Sequence, residues 1–171
     1  MALETCPCCG KVHGSLSFAI PVSMPTEAAK IPVAQRDGRL WSNGELCVVD
    51  DKRFYLYGSI EINIHDHCNE FAWGAWVELV EETFFRYQKL LDVEGREANP
   101  PFEAVLGTDI PFYPPTLGLP LIVRVRKKGV RPLFQLKAGT HPLIHDQHAG
   151  VSIERIQAIK SWFCSLEPPA A

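Results

Sequence analysis

Two alternating runs organise the chain. From residue 54 to residue 64, Phe54, Leu56, Gly58, Ile60, Ile62 and Ile64 take one set of positions, and Tyr55, Tyr57, Ser59, Glu61 and Asn63 take the other. Successive side chains of a strand point to opposite faces, so this pattern predicts a half-buried antiparallel strand. After a polar tip at residues 65–69, Phe71, Trp73, Ala75, Val77 and Leu79 alternate again, and the two runs are expected to pair as a hairpin. A shorter strand, Leu46-Cys47-Val48-Val49, precedes them across the turn-prone Asp50-Asp51-Lys52.

The period then changes. Glu81 and Glu82 suit the positive end of a helix dipole, and Phe84, Tyr87 and Leu91 recur at helical spacing, so a helix is predicted from residue 81 to about Asp92, before Gly95. Residues 102–106 read as a short strand and the proline-rich residues 110–120 as an ordered loop held by Phe112 and Tyr113. A second hairpin follows, Leu121, Val123 and Val125 returning through Lys128-Gly129 into Pro132, Phe134 and Leu136. Ser152 is a candidate N-cap for a last helix with Ile153, Ile156, Ile159 and Phe163 on one face, stopped by Pro168 and Pro169. Before all of this, Pro21, Pro25 and Pro32 break residues 17–43 into an irregular wrapping segment with one short helix around residues 26–30.

The expected fold class is therefore α+β: an antiparallel sheet of about five strands with two helices packed on one face. The 171 residues fit a single domain, 1–171, divided into a cysteine-rich start (1–15), the wrapping segment (16–45) and the α+β core (46–165). A net charge of −3 and a pI near 6.1 supply no overall positive field, which disfavours nucleic acid as a partner. No apolar stretch approaches the ~18 residues that cross a bilayer, and no secretion signal follows Met1. Of the six cysteines three crowd together, while Cys47, Cys68 and Cys164 are scattered. That usage suits thiols in a reducing cytoplasm better than a disulfide framework.

The crowded cysteines carry the main chemical expectation. Cys6-Pro7-Cys8-Cys9-Gly10 contains Cys-x-x-Cys followed by glycine, a turn that points amides at the first thiolate while the second closes a chelate. His13 stands four residues on and can supply a third ligand. A structural zinc needs four, and no second Cys-x-x-Cys exists downstream. The fourth is expected from His141, whose following proline favours an extended backbone, or from His145, His148 or Cys8. The plainer reading is a set of reduced cysteines on a frayed terminus.

Weaker constellations stand beside it. His65-Asp66-His67-Cys68 places two imidazoles at i and i+2, and reads first as a polar hairpin tip. His145 and His148 flank Asp146, which suits general acid/base work or a solvated loop before a helix. Arg124, Arg126, Lys127, Lys128 and Arg131 form a basic stripe that reads first as a charged face discouraging edge pairing. Trp73 and Trp76 fall on opposite faces, so one fills the core. The other, with Tyr55 and Tyr57, is either core beneath a helix or an exposed aromatic surface for a partner, with Glu61 nearby.

A set of short motifs runs through the chain: Cys6-x-Cys8-Cys9-Gly10-x-x-His13, Cys47-Val48-Val49-Asp50, Gly58-x-x-Glu61-Ile62 and Phe71-x-Trp73-Gly74-x-Trp76-Val77-x-Leu79. Pro100-Pro101-Phe102, Tyr113-Pro114-x-Thr116-Leu117-x-Leu119, Arg131-Pro132, and His141-Pro142-Leu143 with Gln147 add to it. On these residues, and over nearly its whole length, the chain resembles the bacterial domain-of-unknown-function family twenty-one ninety-nine. The resemblance implies a bacterial source and a shared fold, and no reaction. It pairs the N-terminal knuckle with His141-Pro142-Leu143, while the residue 65–68 tip, His145 and His148 depart from the pattern.

Two functional classes are expected. The first is a non-catalytic interaction or regulatory module that binds another protein and is held by structural zinc. The alternative is a metal-dependent hydrolase with an open zinc position and Glu61 or Asp146 as base.

Overall fold

The structure is a computed structural model that describes residues 4–5, 12–13, 19–65, 67 and 69–166; of residues 4, 5, 12, 13 and 164–166 it describes the backbone alone. Two short strands, β1 (Glu4–Thr5) and β2 (Val12–His13), form a separate antiparallel ladder. The main sheet contains β3 (Ala19–Pro21), β4 (Leu40–Ser42), β5 (Leu46–Val49), β6 (Arg53–Asn63), β7 (Glu70–Leu79), β8 (Phe102–Leu106), β9 (Pro120–Arg124) and β10 (Leu133–Leu136). Four helices accompany it: α1 (Thr26–Ala29), α2 (Glu81–Gln88), α3 (Pro142–Ala149) and α4 (Ile153–Leu166).

The hairpin of β6 and β7 is the spine. It pairs from Phe54↔Leu79 to Asn63↔Glu70, with the alternation read from the sequence. Each strand changes its second neighbour midway. β6 pairs with β5 over residues 53–56 and meets β10 at Ser59, while β7 pairs with β3 over residues 72–74 and with β8 at Val77 and Glu78. Since β8, β9 and β10 are joined in turn, β6-β7-β8-β9-β10 closes into a small barrel.

The sheet thus differs from the expected five-stranded antiparallel layer with two helices on one face. Among the described residues it has eight strands, two of its pairings (β3–β7 and β10–β6) are parallel, and four helices accompany it. The physical reason lies at Gly58. A Cβ there would sit 2.4 Å from Phe134 Cζ and 2.6 Å from the Pro132 carbonyl oxygen, so only glycine lets β10 approach. Ser59 N–H then donates to Pro132 O at 3.0 Å, and Leu133 pairs with Ser59.

The barrel interior holds Leu56, Ile60, Ile62, Phe71, Trp73, Val77, Leu121, Val123 and Phe134, all essentially inaccessible. Burial of this kind stabilises by about 1.5–3 kcal/mol per large side chain. α2 and α3 pack against β6, and Ile156 and Ile159 of α4 complete the core.

A second, smaller core lies outside the barrel. Tyr55, Tyr57, Trp76, Cys47 and Val49 pack with Ala28 and Ile31 of the wrapping segment. The aromatic surface offered as a partner-binding face at Tyr55, Tyr57 and Trp76 is therefore covered, at 0%, 5% and 3% exposure. The wrapping segment covers it because β3 is bonded into the sheet beside β7 and α1 is bonded to Gly107, where Thr26 N–H donates to the carbonyl at 3.0 Å. Trp76 Nε1 donates to Val22 O at 3.2 Å, and Arg131 lies 4.6 Å over the Tyr57 ring. Burial pushes the Cys47 thiol up to about 11, so it sits in this core as an unreactive apolar group.

Candidate functional site: a carboxylate cleft at the hairpin tip

The outer face of the β6–β7 hairpin changes character along its length. Where Tyr55 and Tyr57 give way to Ser59, Glu61 and Asn63, the second core ends and a polar cleft begins. It has two lobes that share Glu61, Asn63 and Glu70. One, of about 650 Å³, extends over His67, Asn69 and Ala72; the other, of about 220 Å³, reaches Gln135, Gln147 and His148.

Glu61 is the centre of its contacts. Its side chain is 24% exposed; Ser59 Oγ donates to its Oε1 at 3.0 Å and Arg126 Nη2 ion-pairs with the same oxygen. Glu70 opposes Asn63 across the ladder, which sets it diagonally from Glu61. Desolvation, then the neighbouring Glu61 carboxylate, hold the Glu70 carboxyl above its ordinary range, with Arg126 opposing.

α3 forms the far wall. Gln147 clamps it to the barrel: its Oε1 accepts from Leu136 N–H at 2.8 Å and its Nε2 donates to Phe134 O at 2.7 Å and Glu61 O at 3.4 Å. His148 Nε2 lies 2.8 Å from Leu136 O. At the tip, His67 Nδ1 accepts from Asn69 N–H at 3.0 Å, and His65 Nε2 lies 2.9 Å from Ala149 O.

The remaining expected site residues fall elsewhere. Cys6, Cys8, Cys9, Asp66 and Cys68 lie outside the described residues, and His13 is described only as backbone in β2. His141 has the extended backbone anticipated from Pro142 and serves as N-cap of α3: its Nδ1 accepts from Leu143 N–H at 3.1 Å while Nε2 lies 3.2 Å from Pro114 O. His145 is largely exposed. Among the described residues no three His, Cys, Asp or Glu are grouped so as to hold a metal ion.

Asp146, a candidate base, is buried and structural. Its Oδ2 accepts from Tyr113 O–H at 2.7 Å and from Arg155 Nε at 2.7 Å, tying the proline-rich loop to α3 and α4. Burial, followed by the Asp146 contact, pushes the Tyr113 hydroxyl up, so it stays a proton donor.

The basic stripe is divided among local partners: Arg126 with Glu61, Lys128 with Glu94, Arg124 with Gln135 and Arg131 with Tyr57. Sequence reasoning gave Glu70, Asn63 and Gln147 no place in a site. Matching the two apolar faces could have found the first two, since Ile62 opposite Phe71 sets Asn63 opposite Glu70.

A family model described as "Uncharacterized protein conserved in bacteria (DUF2199)" matches residues 5–151. The chain belongs to this family. The match runs from the edge of the cysteine cluster through the barrel, the cleft and α3, so every part of the site described above lies within the DUF2199 region. No curated protein and no solved structure matches the chain. No helix among the described residues of this DUF2199 member is long and apolar enough to cross a membrane.

Proposed function

We propose that this protein is a non-catalytic interaction module whose cleft takes a basic side chain of a partner protein. The observation that carries this reading is the adjacency of two carboxylates, Glu61 and Glu70, at the junction of the two lobes. An ammonium or guanidinium group placed between them favours both charged forms and draws off the proton that Glu70 holds more tightly than an ordinary glutamate. A hydrolytic reading would require Asp146 or Glu61 as base. Asp146 is committed to Tyr113 and Arg155, and Glu61 to Ser59, Arg126 and Glu70.

Titration calorimetry with an N-acetylated, C-amidated tri-lysine peptide tests the reading. As pH is lowered toward the ordinary glutamate value of 4.5, the wild type is expected to release protons on binding, and Glu70→Gln to bind about fivefold more weakly with less release, the scale of one exposed ion pair. Equal affinity and equal proton release in wild type, Glu70→Gln and Glu61→Gln would sink it.

The same pair sets a pH dependence of stability. Because the native Glu70 value is raised above its ordinary 4.5, the folded chain holds this proton more tightly than the unfolded chain. The stabilisation is full below about pH 4.5 and is lost as pH rises through the native value. Glu70→Gln keeps a donor toward Glu61 and should flatten that part of the urea-midpoint profile. An unchanged slope would remove the Glu70 carboxyl from the account.

We further propose that structural zinc ties Cys6, Cys9 and His13 to His141, on the support of the Cys-x-x-Cys-Gly spacing. His141→Asn separates ligand from cap, because asparagine caps a helix well but is a poor zinc ligand. Elemental analysis should find about one zinc per wild-type chain, and loss of zinc in Cys9→Ala and His141→Asn. Full zinc in His141→Asn would leave His141 as a cap alone.

A further inference from the structure

On the side that faces β10, strand β6 is bonded at Ser59 and again at Asn63, and the interruption between them is one residue wide. Ser59 N–H donates to Pro132 O at 3.0 Å within the pair Leu133↔Ser59, and Asn63 O accepts from Val151 N–H at 2.9 Å. In a parallel ladder each residue bonds the two that flank its opposite number. The next step would therefore place Glu61 between Phe134 and Leu136, its N–H on the Phe134 carbonyl and its own carbonyl on the Leu136 N–H. Among the described residues that step is not taken, and Leu133↔Ser59 is the one β6–β10 pair.

Gln147 stands in the gap and takes both β10 groups. Its Oε1 accepts from Leu136 N–H at 2.8 Å, its Nε2 donates to Phe134 O at 2.7 Å, and the same Nε2 lies 3.4 Å from Glu61 O. A primary amide carries the donor and the acceptor of a peptide group, so it can replace the Glu61 backbone along the β10 edge. α3 delivers it there with Leu143 and Ile144 buried one turn earlier on the same face. The smaller lobe of the cleft is lined by β6 at Glu61 and Asn63, by β10 at Leu133 and Gln135, and by Gln147.

Resting on the reading of the cleft as a binding site for a basic side chain, we infer that Gln147 is a positioning residue that sizes this site: its amide stands in for a peptide group, holds β6 and β10 apart and keeps the smaller lobe open. Without that amide the two strands are complementary. Glu61 N–H matches Phe134 O and Leu136 N–H matches Glu61 O, so closure by one further pair satisfies all four groups and removes the lobe of about 220 Å³.

The test joins hydrogen exchange to the tri-lysine titration, both on the full chain. In Gln147→Ala the Glu61 amide should exchange at least about tenfold more slowly than in wild type, the worth of one new backbone hydrogen bond. A side chain that only stabilised the fold would speed exchange when removed. The peptide should bind Gln147→Ala about fivefold more weakly, the scale of one lost ion pair. Gln147→Glu keeps the acceptor for Leu136 N–H but sets an oxygen against the Phe134 and Glu61 carbonyls, so the strands stay apart. Its Glu61 amide should exchange as in wild type, with no loss of peptide affinity. Exchange at Glu61 that is unchanged or faster in Gln147→Ala, or slower in Gln147→Glu, overturns the inference and leaves the binding reading standing. Slower exchange with unchanged affinity in Gln147→Ala overturns it too, since the lobe then closes without touching the binding site. A wild type that fails to bind the peptide removes the binding reading, and the exchange rates alone then decide whether Gln147 props the strands apart.

Discussion

Gly58→Ala is expected to lower stability by about 3 kcal/mol, at the upper end of overpacking effects. For a chain of this size that corresponds to a melting temperature lower by roughly 6–12 °C. The new Cβ would fall 2.4 Å from Phe134 Cζ and 2.6 Å from the Pro132 carbonyl oxygen, well inside contact distance. An aromatic ring can tilt away; a backbone carbonyl in the barrel seam cannot move without breaking the Ser59 N–H bond it accepts. The substitution therefore acts where one residue pair, Leu133↔Ser59, closes the ring. Thermal unfolding gives the size of the effect, and hydrogen exchange gives its place, because the Ser59 amide should lose protection before the β6–β7 ladder does. A loss below about 1 kcal/mol with the Ser59 amide still protected would mean that the barrel is not closed there.

That seam also shows which parts of the fold the sequence could reveal. β6 and β7 were legible because period-2 alternation over ten or more residues is a strong local signal, and the two faces read from it are the two faces observed. α2, α4 and β8 followed from caps, spacing and flanking prolines. Barrel closure was not legible: it depends on Gly58 meeting Phe134 across 76 positions, and a glycine within an alternating run signals only close approach by some backbone, not which one.

α3 was passed over for a different reason. Its start and stop signals are present in Pro142 and in Gly150, with φ at +78°. Three histidines and an aspartate drew the reading toward chemistry, although Asp146 and Gln147 turn out to be structural ties. Of the cleft, Glu61, His67 and His148 were singled out, but Glu70 was not. Glu70 is the first residue after the tip, and a register that sets the apolar Ile62 opposite Phe71 brings it diagonal to Glu61. The burial of Tyr55, Tyr57 and Trp76 could not be read in this way, because their cover comes from a proline-broken segment without periodicity.

Arg96 is expected to be the other costly position. It was not a candidate for any role in the sequence, yet it is 3% exposed and donates to four backbone carbonyls: Nε to Arg126 at 2.8 Å, Nη1 to Leu91 at 3.0 Å, and Nη2 to Lys127 and Val130 at 3.3 and 2.8 Å. Gly95, with φ at +74°, turns the chain so that this side chain enters between the end of α2 and the β9–β10 turn. The Tyr87 ring lies beneath, 5.9 Å from the guanidinium carbon. Five donors in a planar fork suit several carbonyls at once, and an ammonium cannot reproduce that geometry. Arg96→Ala strands these carbonyls and empties the space above Tyr87, so a loss of about 3–5 kcal/mol is expected, and Arg96→Lys should recover less than half of it. The effect should also reach the cleft. The Arg126 carbonyl is held by Arg96 while the Arg126 side chain pairs with Glu61, so a loosened turn moves away the charge that opposes protonation of Glu70. In Arg96→Lys the proton on Glu70 should accordingly be held more tightly, seen as an upward-shifted carboxyl titration by NMR. Unfolding of Arg96→Lys within about 1 kcal/mol of wild type, with Glu70 titrating unchanged, would show that the guanidinium fork does not hold the turn.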